Sequence, residues 1–226
     1  FIMDSRVPEI RKHLKKKLDA YRYEHTLGVE FTCQALAMRY GYDLDKADLA
    51  GLLHDSAKRF ENPVMLQKCL DRGIPVTAEE ERDPSLLHAK LGAWMAENKY
   101  GVDDPEILSA ITCHTTGKPG MSLLDKILYV ADYIEPRRSK AANLPEMRKL
   151  AFIDLDQACF EIMESILEYL KSTGCQIDPM TEAACQDMRR VVSEKQKETA
   201  GAAGETDQDK EEQSVESVKR NGKTCS

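Results

Sequence analysis

The sequence predicts an all-α protein, a single helical bundle with a disordered C-terminal tail, on three observations. Apolar residues recur at three- and four-residue spacing along most of the chain. Period-two alternation of β-branched residues is almost absent. Start and stop signals divide the pattern: Asp83-Pro84 and Asp104-Pro105 each pair an N-cap with a proline at the first helical position, whereas "KPG" at 118–120 and Gly174 read as stops.

The expected helices run near 6–19, 24–40, 44–59, 63–72, 77–81, 84–99, 105–115, 121–135, 145–172 and 180–195. Several are defined by an inward stripe. His25, Val29, Thr32 and Leu36 share one face of the second, with Gly28 leaving room beside the imidazole. Ala47, Ala50, Gly51 and His54 share a face of the third. His88 lies with Leu91, Gly92 and Met95, and His114 follows Ile107, Ala110 and Ile111. In "LLDKILYVADYIEPRR" the inward side carries Leu124, Leu128 and Ala131, and Asp132 joins it.

Residues 1–195 form the expected folded domain. From about residue 196 the chain is charged and poor in bulky apolar residues, so it cannot bury enough surface to offset its ordering entropy, and 196–226 is expected to be a disordered polar tail.

With 226 residues, 42% hydrophobic and 31% charged, the chain suits one soluble domain. A net charge of −7 argues against a nucleic-acid coat while permitting a local cationic pocket for a phosphorylated metabolite. The absence of a long apolar run or a secretory leader predicts a cytoplasmic protein with no membrane partner. Seven scattered cysteines with no C-x-x-C pair fit a reducing compartment, and Cys113 reads as inert packing.

Four of the five histidines lie on inward helical faces; His13, among cations in "RKHLKKKL", is the exception and is assigned no role. One inward histidine is ordinarily a hydrogen-bonded core residue. Four imidazoles together with Asp55 and Asp132 are a different matter, because too few inward Lys or Arg residues are available to neutralise them. Neutral imidazole and carboxylate oxygen are ligands for first-row divalent cations, and helical scaffolds present such ligands from several helices.

The motifs "RYEHTLGV", "LAGLLHDSAK", "LLHAKLGA", "AITCHTTG" and "LLDKILYVADYIEPRR" resemble, in order, those of the HD-domain phosphohydrolases, and most closely the YqeK-type proteins, symmetrical diadenosine tetraphosphate hydrolases. The resemblance covers about residues 6–190. It implies iron held by His25, His54, Asp55 and Asp132, with manganese or zinc as alternatives, and catalysis by His54, Asp55 and Lys58. It implies nucleotide contacts from Arg22, Tyr23, Glu24, His25, Asp55, Ser56, Ala57, Lys58, His88, His114, Thr115, Asp132 and Arg138. Arg137 and the segment Gln176, Ile177, Asp178 and Pro179 extend that set. His88 and His114 are expected to contact phosphate, with a second metal as the alternative, because no carboxylate accompanies them. In "QIDPMTEAACQDM", Cys185 stands where the family pattern has a polar residue.

The expected reaction cleaves diadenosine tetraphosphate into two ADP, and a homodimer is the family expectation. Three other readings stay open: another HD-domain nucleotide phosphohydrolase or phosphodiesterase, a non-hydrolytic nucleotide-binding regulatory protein, and a purely structural histidine core.

Overall fold

The computed structural model describes residues 4–221, with side chains through residue 200. Its α-helices are α1 (Val7–Lys17), α2 (Ala20–Tyr40), α3 (Leu44–Leu53), α4 (Asn62–Leu70), α5 (Ala78–Arg82), α6 (Leu87–Tyr100), α7 (Pro105–Cys113), α8 (Leu123–Ile134), α9 (Leu144–Leu150), α10 (Leu155–Ser172) and α11 (Pro179–Asn221). No strand occurs among the described residues, and no described helix is long and apolar enough to cross a membrane.

Side-chain caps set most boundaries. Asp19, Asp43 and Ser122 accept backbone N–H groups three residues on, and Asp104 accepts from Glu106 and Ile107. The Asp19 cap starts α2 four residues before the expected position. Three further expectations change. The 44–59 segment is helical only to Leu53; from His54 to Arg59 the backbone turns tightly, with Ser56 N–H donating to Leu53 and Lys58 N–H to Asp55. The 145–172 segment is two helices, because the Asp154 carboxylate accepts from the N–H groups of Asp156 and Gln157 and starts α10 afresh. The 84–99 segment opens with a 3-10 turn, Pro84–Leu86.

The chain divides into one unit of residues Phe1–Met188 and a second, Arg189–Ser226, which contains the distal part of α11. Most of the tail expected to be disordered, 201–226, lies outside the described side chains.

In the first unit, α8 is flanked by α2, α7 and α10, and its Leu124, Ile127, Leu128, Val130 and Ala131 are fully buried. A second apolar cluster of Ala57, Met65, Cys69, Leu87, Leu91 and Met95 braces the turns after α3. Helices α2 and α3 meet at Gly51, where a Cβ would lie 2.7 Å from Glu30 Cα and 3.1 Å from Glu30 N. Backbone cannot swing aside as a side chain can. Gly51→Ala is therefore expected to lower the unfolding free energy by on the order of 1–3 kcal/mol, measured by urea denaturation; an unchanged midpoint would contradict this packing.

The same interface buries two acids. Glu30 is paired with Arg11 at 2.8 Å, and the buried carboxyl of Asp48 raises its pKa. Burial first, then Asp48, raises the Glu30 carboxyl from 4.5 to about 8 against the pull of Arg11. The unfolded chain releases this proton near 4.5, the folded chain holds it to about 8, so the proton's contribution is full below 4.5 and is lost as pH rises to about 8. Glu30→Gln should flatten that decline, worth on the order of a few kcal/mol, in melting curves from pH 5 to 9. Parallel wild-type and variant curves would show that Glu30 is ionised throughout.

Candidate metal centre

Three of the inward imidazoles are aimed by a common local device. His54 follows α3 and His114 follows α7, and each Nδ1 lies 2.7 Å from the carbonyl three residues earlier, Gly51 and Ile111. His88, in the first turn of α6, does the same with Ser85 at 2.5 Å. An Nδ1–H that donates to a carbonyl leaves the lone pair on Nε2. His25 is held by a carboxylate instead, its Nδ1 3.0 Å from Glu135 Oε1.

The four Nε2 atoms surround Asp55. Its Oδ2 is 3.6 Å from His54 and 3.8 Å from His25, while Oδ1 is 3.4 Å from His88 and 3.7 Å from His114. Asp132 Oδ1 lies 3.1 Å from His25 Nε2. Three groups have donor atoms within 4.8 Å of one another: His25, His54 and Asp55; His54, His114 and Asp132; and Asp55, His88 and His114. His88 and His114 are not without a carboxylate as expected, since one oxygen of Asp55 accompanies them. The Nε2 atoms of His25 and His54 are buried without a hydrogen-bond partner, and an all nitrogen-and-oxygen donor set around a shared carboxylate fits a divalent cation.

The protonation states of His54 and His88 agree with that fit. Burial pushes His54 down to about 4 and His88 to about 3, so both are neutral near pH 7. Burial alone would raise Asp55 and Asp132, but the surrounding imidazoles, with Arg138 beside Asp132, hold both well below the usual carboxylate range. His25 is lowered by burial and raised more strongly by Asp132 and Glu135. Two guanidiniums counter the acids directly, Arg22 at 2.6 Å from Asp55 and Arg138 at 2.7 Å from Asp132. Lys58 is lowered by burial, with Asp55 opposing. It sits in the turn after His54, not on a continuing helix.

Other sequence candidates are placed as follows. Thr115 Oγ1 is 3.2 Å from His88 Nε2. Ser56 and Ala57 are fully buried and offer no accessible surface at the site; Ala57 belongs to the apolar cluster under the turn. Tyr23 is half-buried, and burial, then Glu30, raises its phenol. Glu24 and Arg137 pair with each other at 2.5 Å on the surface. Cys113 is buried and its thiol pushed up by burial.

A cavity of about 780 Å³ opens beside the centre, lined by His114, Thr115, Asp132 and Arg138 at one end. Tyr133, Leu86, Leu144, Ile166 and Leu170 supply apolar wall, and Gln176 and Asp178 join the lining, whereas Ile177 and Pro179 do not. Cys185 is core, and Gln186 beside it is exposed.

Sequence reasoning missed Glu135. Its signal was Gly28: a Cβ there would strike the Glu135 carboxylate, so the glycine makes room for the acid that orients His25.

Residues 22–137 match the HD domain family. The chain is 40% identical over 168 residues to the symmetrical bis(5'-nucleosyl)-tetraphosphatase of Bacillus subtilis (strain 168), covering 74% of this chain and 89% of that protein. Against the protein of the same name from Halalkalibacterium halodurans it is 38% identical over 174 residues, covering 75% and 90%. The crystal structure of a protein from Clostridium acetobutylicum, described as a predicted HD superfamily hydrolase involved in NAD metabolism, superposes with a TM-score of 0.79 at 36% identity, covering 84% of this chain and 99% of that one. The chain belongs to the HD domain family, and within it to the YqeK-type proteins these relatives represent.

Proposed function

We propose that the protein is a metal-dependent hydrolase that cleaves diadenosine tetraphosphate symmetrically into two ADP. The observation that carries this reading is the ring of imidazoles around Asp55 opening, past Asp132 and Arg138, onto a cavity with an apolar wall. In this reading His25, His54, Asp55 and Asp132 hold the metal, iron by family resemblance with manganese or zinc satisfying the same donors. When bound, the ion supplies Lewis-acid polarisation of a phosphoryl oxygen and a lowered pKa for water.

The protein's own groups do the rest. His88, His114 and Thr115 orient the phosphate chain, and Lys58, Arg22 and Arg138 stabilise its growing negative charge. Tyr133, Leu86 and Leu144 receive a nucleoside, with Gln176 and Asp178 at its edge. The second reading, a further metal on Asp55, His88 and His114, is favoured by the position of Asp55 Oδ1 between the two rings. The unbridged cysteines, Cys33, Cys69, Cys113, Cys159, Cys175 and Cys185, support a cytoplasmic setting.

The test is product analysis across a panel of dinucleoside polyphosphates. ADP as the sole nucleotide from diadenosine tetraphosphate is the expected outcome. AMP plus ATP would move the protein to an asymmetric hydrolase, and no hydrolysis with metal supplied would leave a binding protein.

A further inference from the structure

A second cleft, of about 1120 Å³, shares no lining residue with the cavity at the metal centre. The C-terminal turns of α1 and α6 meet there, bringing Lys16, Lys17 and Lys99 opposite Arg59, with Phe60 and Tyr100 between. Six lysine and arginine side chains line it against one carboxylate, Glu9. Arg6 is neutralised by Asp4 and Lys12 lies 3.9 Å from Glu9. Lys16, Lys17, Arg59 and Lys99 have no carboxylate partner among the described residues.

Helix dipoles account for only part of this. Two helix C-termini carry roughly −0.5 charge each, which leaves a surplus of about three positive charges on a protein whose net charge is −7. The cations also act on one another: after burial, Arg59 depresses Lys99 most, and burial, then Arg59, Lys17, Lys99 and Lys16 hold the His13 imidazole low. Arg59 Nε and the Tyr100 hydroxyl have no hydrogen-bond partner. The aromatic faces are already used, since Phe60 is covered by Arg59 at 4.7 Å and Lys68 at 4.8 Å, and His13 sets its edge against Tyr100. A ligand here is read by charge and hydrogen bonds, not by stacking of a base.

We propose that this cleft is a second anion site that takes a triphosphate moiety, held by Lys16, Lys17, Arg59 and Lys99. A single phosphate would leave the surplus unmatched, whereas a chain of three phosphates carries a comparable opposite charge. Arg59 directly follows Lys58, so the ligand would rest on the turn that carries Asp55.

The test uses the full chain with Asp55→Ala, which stops metal-dependent turnover and so makes the result independent of whether the proposed hydrolysis is right, and reads the cleft through His13, which lines it and not the cavity at the metal centre. Sodium tripolyphosphate and ATP are titrated separately at low ionic strength, with the His13 resonance followed by NMR. Binding is expected to persist in Asp55→Ala, to weaken about tenfold or more when Lys16→Ala and Lys99→Ala are added, and to raise the His13 pKa only while both lysines are present. Equal affinity for both probes supports a site that reads the phosphate chain alone; tighter ATP binding supports it with a nucleotide as the source. Affinity unchanged by the lysine substitutions, an unmoved His13, or a single-stranded RNA bound more tightly than either probe through the same lysines would overturn the proposal.

Discussion

Asp55→Ala is expected to reduce hydrolysis of diadenosine tetraphosphate by about three orders of magnitude or more while leaving helical content unchanged. Among the described residues, Asp55 is the only carboxylate whose two oxygens each face a pair of imidazoles, His25 and His54 on one side, His88 and His114 on the other. Its loss removes the negative charge that makes the nitrogen cluster attractive to a cation, and it also releases Arg22. Asp55→Asn keeps the volume and should fail almost as badly, because a neutral amide cannot replace that charge. Steady-state rates with far-ultraviolet circular dichroism on the same samples decide the matter; a folded Asp55→Ala protein retaining wild-type turnover would remove Asp55 from the chemistry.

Glu135→Ala should weaken metal affinity by about 10- to 100-fold, the usual cost of losing a carboxylate that orients a ligating histidine. Glu135 is 1% exposed and touches His25 Nδ1 on the side away from Asp132, so it acts through the ring. Glu135→Gln retains an acceptor for Nδ1–H without the charge and should fall between the two. Competition with a chromophoric chelator separates a positioning role from a structural one, since a structural defect would shift the melting temperature without restoring affinity in Glu135→Gln. Equal affinities in all three proteins would show that Glu135 does not orient His25.

The fold was legible because its main signals are local. Apolar spacing and the Asp-Pro starts at 83–84 and 104–105 mark helices without reference to the rest of the chain. The failures also have local causes. Asp154 restarts a helix in the middle of a continuous apolar pattern, and the turns after Leu53 keep helical hydrophobic content while the hydrogen bonds shift to three-residue spacing. At the site, inward stripes identified four imidazoles and two aspartates. What they could not convey is which atoms face which: Asp55 serving both pairs, Glu135 reaching His25 from 110 residues along the chain, and the apolar wall of the cavity all depend on how separate helices cross. The basic cleft illustrates the same limit. The sequence assigns His13 and the cations around it no role, and only the fold sets Arg59 and Lys99 beside them.

Elemental analysis of the purified full chain beside Asp55→Ala, on the samples used for hydrolysis, bears most directly on whether four segments of this protein converge on an inorganic ion. About one or two first-row metal ions per wild-type chain, falling nearly to zero in the variant together with turnover, is what the geometry predicts. Full turnover by wild-type protein carrying no metal, or a variant that keeps the wild-type metal content, would contradict it.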